Sequence, residues 1–238
     1  KNFKYLISKV QKSSSTDESR AALTGILIDL SKNFMKLVAT DSYRLALASS
    51  SVDFDGDPIK VIVPSKVLDN ITKSDFSDGD IDINIEENQI SFVLDSDKEF
   101  KTLIISRLLS GKFPDYEKLI PQSFVHSIVI DKNTMHEVVN RISSISQDNI
   151  PIKLDFESGR IVVSMNIREV GSSSEDFPVS YGEENIQIAF DPDFLKEGLS
   201  VIEDDKITFN IVEPLKPVMI KSLKNEDILY LLMPIRIS

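Results

Sequence analysis

The sequence predicts an α+β fold of two domains, in which one motif recurs: a strand, a capped short helix and three strands. Three observations predict it. Apolar and polar residues alternate over short runs such as Ile81-Asp82-Ile83-Asn84-Ile85, the pattern of half-buried strands. Three such runs pass straight into a helix start: Ile62-Val63-Pro64-Ser65, Val129-Ile130-Asp131-Lys132 and Ala189-Phe190-Asp191-Pro192. The starts at Pro64, Asp131 and Asp191 stand roughly 60 residues apart, a repeat-scale period. At 238 residues the chain has room for two ordinary domains. They divide near Pro121-Gln122 into 1–121 and 122–238, each a repeated β-α-β-β-β unit with two short helices packed on antiparallel sheet.

In order, Lys1 to Lys12 reads as a helix, because Phe3, Leu6, Ile7 and Val10 recur at helical spacing and the lysines lie largely off that stripe. This helix belongs to a unit whose leading strand is absent. Ser13 to Asp17 is a loop by composition. Leu23 to Leu30 is a strand, and Phe34 to Ala48 a second, long one. Asp55-Gly56-Asp57 is a turn signal. Lys60 to Val63 is a strand, Pro64 to Ile71 opens a short helix, and Ile81 to Ile85, Ile90 to Leu94 and Phe100 to Ile105 complete a run of three strands.

The order then repeats. Ser127 to Ile130 is a strand, and Asp131 caps a helix whose apolar stripe is Met135, Val138, Val139 and Ile142. Ile152 to Phe156 and Arg160 to Ile167 are strands, and Gly171 to Asp176 reads as a polar loop. After the strand Ile186 to Phe190, Asp191-Pro192 is a helix start, a cap followed by a first-position proline. Ile207 to Val212, Val218 to Leu223 and Ile228 to Ile237 close the chain as strands. The last is apolar almost to its final residue, which is unusual for a chain end.

Composition excludes several chemistries. The chain has no cysteine, so thiolate catalysis, disulfides and cysteine metal sites are out, and a reducing, cytoplasmic location fits. No apolar run approaches the roughly 20 residues needed to span a bilayer, and no signal-peptide pattern opens the chain. Because it opens on Lys1, the chain is expected to be a fragment of something longer. The net charge of −11 argues against a wholly basic nucleic-acid binder, though not against one basic face. His126 and His136 lack the partners a catalytic histidine needs. There is no metal-ligand spacing, phosphate loop or nucleophile elbow, so no cofactor is expected. The acidic runs at Asp53 to Asp57, Asp75 to Asp82 and Glu203 to Asp205 read as solvated turns. A metal-dependent hydrolase built on them is one alternative function, and a plain two-domain scaffold another.

Three stretches carry a resemblance. Ala39-Thr40-Asp41-Ser42-Tyr43-Arg44-Leu45-Ala46 resembles the Ala-Thr-Asp-x-x-Arg-Leu-Ala signature of the bacterial sliding clamp family, the β subunit of the replicative DNA polymerase III. Gly111-Lys112-Phe113-Pro114-Asp115-Tyr116 is similar to its Gly-x-Phe-Pro-Asp-Tyr element, and Tyr230 to Arg236 to its C-terminal Tyr-x-x-Met-Pro-x-Arg. They occur in the family's order and extend over the second and third of its three domains.

The resemblance implies a non-catalytic processivity factor. Two protomers of the full-length protein close head to tail around duplex DNA and tether polymerase subunits, clamp loader and repair proteins. Because the ring contact uses the first domain, this fragment should be a monomer or weak dimer. DNA would face helix cations through counterion release, namely Lys4, Lys9, Lys12, Arg20, Lys66, Lys73, Arg141 and Lys196, with Lys1 beside them.

The resemblance also implies a hydrophobic cleft between the second and third domains for short linear motifs. Leu23, Thr40, Ser42, Tyr43, Arg44 and Leu45 would form one wall, with Pro114, Lys118 and Leu119 at the junction. Leu215, Leu231, Leu232, Met233, Pro234, Ile235 and Arg236 would form the other, with Asp191 and Phe194 at its rim. Leu and Met give an adaptable apolar pocket, and Arg44 and Arg236 can anchor peptide oxygens. The chain departs from the family at Ser42-Tyr43, where Gly-His is frequent, at Asp191, where a polar amide is common, and at Asn149, where an aromatic can occur.

Overall fold

The structure is a computed structural model. It describes residues 3–74, 81–95, 101–145, 150–167, 171–182 and 184–236. Lys1, Asp75 to Asp80, Phe100, Asn149 and Ile237, all of which figure in the sequence expectations, lie outside the described residues. The chain divides into two compact units, Lys1–Pro114 and Asp115–Ser238.

In the first unit the elements are α1 (Phe3–Val10), β1 (Gly25–Ser31), β2 (Phe34–Thr40), β3 (Arg44–Ser51), β4 (Ile59–Pro64), α2 (Ser65–Lys73), β5 (Ile81–Ile85), β6 (Gln89–Asp95) and β7 (Lys101–Arg107). Antiparallel pairing orders the strands β4-β1-β2-β3 in one sheet and β5-β6-β7 in another. α1 packs on α2 and on β3. Its stripe of Phe3, Leu6, Ile7 and Val10 is buried, as are Leu68 and Ile71 of α2, and Phe3 stacks on Phe92 of β6 at 5.9 Å.

In the second unit the elements are β8 (His126–Asp131), α3 (Lys132–Ser143), β9 (Ile152–Glu157), β10 (Arg160–Ile167), β11 (Gly171–Pro178), β12 (Ile186–Phe190), α4 (Pro192–Val201), β13 (Lys206–Ile211), β14 (Val218–Ser222) and β15 (Ile228–Leu232). The sheets run β11-β10-β9-β12 and β8-β13-β14-β15, again antiparallel. Both helix caps expected from sequence form. The Asp131 carboxylate accepts from the Thr134 backbone N–H at 2.9 Å, and Asp191 from those of Asp193 and Phe194 at 2.9 and 3.2 Å. Met135, Val138, Val139 and Ile142 of α3 are buried, with Leu195 and Leu199 of α4.

The strands that lead into helices are exchanged between repeats. β12 precedes α4 yet pairs with β9 of the preceding repeat, and β8 precedes α3 yet pairs with β13 of the following one. β4 likewise pairs with β1. A lysine from the first helix of each unit also caps the second helix. Lys4 Nζ donates to the Ser74 carbonyl at 2.5 Å, and Lys132 Nζ to those of Ile202 and Glu203 at 3.0 and 3.1 Å. A cation there offsets the partial negative charge of a helix C-terminus.

Three expectations need correction. The long strand from Phe34 to Ala48 is two strands, β2 and β3, broken at Asp41-Ser42-Tyr43. The break is built by the Asp41 carboxylate, which accepts from the backbone N–H groups of Tyr43 and Arg44, and by Ser42, whose φ of +83° is incompatible with a strand. The polar stretch Gly171 to Asp176 is not a loop but most of β11, an edge strand paired along its length with β10. Phe177 is buried and Ser173 and Glu175 are half-buried, so the alternation of a strand is present under the polarity. The terminal strand stops at Leu232, because Pro234 has no N–H to give to the ladder. With the first two corrections, each of the four α-helices among the described residues is followed by three strands.

Candidate functional site

The Ala39–Ala46 signature owes its residue types to one turn. The Thr40 hydroxyl donates to the Arg44 carbonyl at 2.6 Å and accepts from the Ser42 N–H at 3.2 Å. Asp41 Oδ1 takes the N–H groups of Tyr43 and Arg44 at 2.9 and 3.0 Å, while Oδ2 takes Arg44 Nε at 3.0 Å. Arg44 Nη2 donates to the Lys12 carbonyl at 2.7 Å, which ties the turn to the end of the first helical segment. The Asp41 and Arg44 side chains are only 13% and 8% exposed. Arg44 therefore serves the turn's own architecture through these bonds. What the turn presents outward is Tyr43, 62% exposed. Leu23 and Leu45 are buried in the same unit, as is Thr40.

Arg20 is placed at this turn. It lies in a 3-10 segment, Glu18–Thr24, with Nε on Asp17 Oδ2 at 3.0 Å and Nη1 on the Ser42 hydroxyl at 3.0 Å. Asp17 is held below the usual carboxylate range by the Ser19 hydroxyl and backbone N–H and by Arg20 itself. Sequence reading had no signal for this link, since Arg20 and Ser42 are far apart in the chain and position 42 is unrestricted in the signature.

Gly111 opens the second motif with φ +112°, a conformation that favours glycine, and Phe113 is buried. Pro114 is half-buried. In the second unit Tyr116 is buried, Leu119 is exposed, and Lys118 pairs with Asp115 at 2.7 Å, a hydrogen bond that raises the lysine pKa.

The third motif is a tail anchored at one end. Tyr230 is 1% exposed and its hydroxyl donates to the Phe194 carbonyl at 2.9 Å. Leu231 and Leu232 are buried, which fixes them as core. Past the strand end, Met233 turns outward at 39% exposure. Pro234 and Ile235 are half-buried, and the Ile235 N–H donates to the Ala189 carbonyl at 2.8 Å, binding the tail to β12. Arg236 is exposed, as is Leu215. Asp191 is committed to capping α4, and Phe194 is half-buried on its first turn.

The helix cations fall into distinct environments. Lys73 pairs with Asp69 at 2.5 Å, Lys196 with Asp193 at 2.7 Å, and Arg141 with Glu175 at 2.6 Å. The hydrogen bonds between Arg141 and Glu175 raise the guanidinium pKa and lower that of the carboxylate. Lys9 is buried with its ammonium 4.7 Å from the Tyr5 ring centre, and Lys4 caps α2. Lys12 and Lys66 meet no carboxylate among the described residues. Both line one cavity of about 490 Å³ in the first unit, together with Ser14, Ser15, Thr16, Ser65, Glu18 and Asp69.

In the acidic turns, Asp55 pairs with Lys32 at 3.1 Å and Asp204 accepts from the Ser222 hydroxyl. Among the described residues no cluster of three or more His, Asp or Glu could hold a metal ion.

Two helices on antiparallel sheet, twice over, with these three motifs at turn, linker and tail, define the DNA-clamp fold. The chain belongs to the DNA polymerase III beta subunit family. The family's central-domain model matches residues 1–115 and its C-terminal-domain model residues 117–236. The chain is 31% identical to the beta sliding clamp of Bacillus subtilis over 228 residues, covering 93% of this chain and 59% of the relative. It is 29% identical to that of Staphylococcus epidermidis over 241 residues, covering 99% and 62%. Among solved structures it matches the Bacillus subtilis sliding clamp with a TM-score of 0.91 at 29% identity, covering 99% of this chain and 62% of that one. It matches a Bartonella birtlesii sliding clamp bound to griselimycin with a TM-score of 0.90 at 30% identity, covering 98% and 63%. The chain thus spans about three fifths of the length of these relatives.

Proposed function

We propose that this chain is the peptide-binding, two-domain portion of a sliding-clamp processivity factor, cytoplasmic and non-catalytic. The full-length protein encircles duplex DNA as a head-to-tail homodimer, and short linear motifs of polymerase subunits, clamp loader and repair proteins dock on it. Residues 1–121 act as the second clamp domain and 122–238 as the third. The observation that carries the reading is the tail: at the strand end Met233 is exposed and Pro234 and Ile235 half-buried, an apolar surface held in place by Tyr230 and Ala189. The Tyr43 turn is the corresponding surface on the first unit. A peptide burying two or three apolar side chains gains about 1.5–3 kcal/mol from each, less its ordering cost, which gives micromolar affinity.

Met233→Asp tests the reading. Binding of a Gln-x-x-Leu-Phe peptide, followed by fluorescence anisotropy, should weaken by at least about tenfold, one apolar contact's worth. The melting temperature should fall modestly, because the side chain is exposed. Unchanged affinity refutes the site. For DNA, Lys12 and Lys66, which meet no carboxylate among the described residues, are the cations best placed to release counterions at phosphates.

A further inference from the structure

We infer that Ser42 is a positioning residue of the proposed peptide surface: its hydroxyl orders the Arg20 guanidinium at the turn that carries Tyr43, ready for a peptide carboxylate or carbonyl oxygen. This rests on the peptide-binding reading above.

Ser42 holds φ +83°, a backbone conformation that glycine adopts freely and serine does not. The strain accompanies a contact that glycine cannot make, the 3.0 Å hydrogen bond from Arg20 Nη1 to the Ser42 hydroxyl. The same hydroxyl-bearing residue is fixed from behind by its N–H on Thr40 Oγ1. Arg20 is also held at its base, with Nε on Asp17 Oδ2 at 3.0 Å, and Asp17 Oδ1 is itself fixed by the Ser19 N–H and hydroxyl at 3.0 and 2.6 Å. Arg20 itself departs from helical geometry within its segment, at φ −113° and ψ 59°. Two of the five guanidinium N–H donors are thus engaged, and three remain on a side chain that is 40% exposed. A planar donor fork fits carboxylate and carbonyl oxygens. Because the fork is already ordered, a peptide does not bear the entropy of freezing a long side chain.

The test uses the whole chain and a fluorescein-labelled Gln-Ala-Ala-Leu-Phe peptide, with affinity read by anisotropy and stability by thermal melting. Ser42→Gly relieves the backbone strain and removes the hydroxyl. Its melting temperature should rise by about 1–3 °C while the peptide Kd weakens by about three- to tenfold. A purely structural role would move both in the same direction. Ser42→Asn, which tolerates this φ and offers an acceptor oxygen, should bind nearly as tightly as wild type. In an Arg20→Ala background, Ser42→Gly should leave Kd unchanged. Wild-type affinity in Ser42→Gly, or equal weakening with and without Arg20, overturns the inference. Failure of the wild-type chain to bind the peptide overturns the peptide reading, and this inference with it.

Discussion

Gly198→Ala sets two known magnitudes against each other. Gly198 lies inside α4, where alanine is the better helix former by about 1 kcal/mol. A Cβ there, however, would stand 2.5 and 2.6 Å from Cε1 and Cδ1 of the Tyr230 ring and 3.2 Å from Cζ. Ordinary carbon contacts begin near 3.4 Å, so helix or ring must move by roughly 0.9 Å. The ring has little freedom, being fully buried and tethered by its hydroxyl to the Phe194 carbonyl on the same helix. Overpacking of this kind costs about 1–3 kcal/mol, and loss of the tether about 1 kcal/mol more. Net destabilisation of about 1–3 kcal/mol follows, a fall in melting temperature of about 2–10 °C. Calorimetry on the wild type and Gly198→Ala measures it. Repeating the substitution in a Tyr230→Leu background removes the obstacle, and there alanine should be neutral or stabilising. An equal loss in both backgrounds would refute the steric account.

Two further predictions concern carboxylates that order the backbone, Asp41 and Asp131. Asp41→Ala leaves Arg44 buried without its partner, and breaking such a pair costs about 3–5 kcal/mol, so a melting-temperature drop under about 3 °C would refute the role given to the turn. The Asp131 pKa lies below its ordinary 3.8, chiefly through the Thr134 backbone N–H and then the Thr134 hydroxyl. Its folded-state preference for the charged form therefore contributes stability above pH 3.8 that is lost as pH falls through the folded pKa. Asp131→Asn retains a capping oxygen but does not titrate, so guanidinium midpoints measured from pH 6 to pH 2.5 should decline less steeply than in wild type; parallel declines would refute the linkage.

Much of the architecture was legible because local chemistry and tertiary placement agree. Asp131 and Asp191 announce helix starts and do cap them. The misread elements are those where composition and conformation part. Apolar runs, Leu37-Val38-Ala39 and Leu45-Ala46-Leu47-Ala48, lie on either side of the turn, and neither glycine nor proline marks it. Only the fold reveals that the Asp41 carboxylate accepts from the backbone just ahead of it, at Tyr43 and Arg44, and that a serine takes φ +83°. β11 is polar because an edge strand needs few apolar residues, and its inward positions include Glu175, which is half-buried and engaged by Arg141. The cations show the same limit. Lys73 and Lys196 have their carboxylates, Asp69 and Asp193, at i,i+4 and i,i+3 spacing that can be read along one helix, whereas the partner of Arg141 lies 34 residues away and only the fold brings it in.

The exchange of leading strands between repeats has a consequence for how the second unit assembles. β8 cannot complete its sheet until β13 has been synthesised, since Asp131 pairs with Lys206 across 75 positions of chain. Neither repeat is a closed object on its own. Each lends a strand to the other, and Lys132 then spans the pair by reaching the end of α4. Such non-local pairing raises contact order, which slows folding. The two repeats of this unit should therefore melt as a single transition, although each reads in sequence as a self-sufficient module.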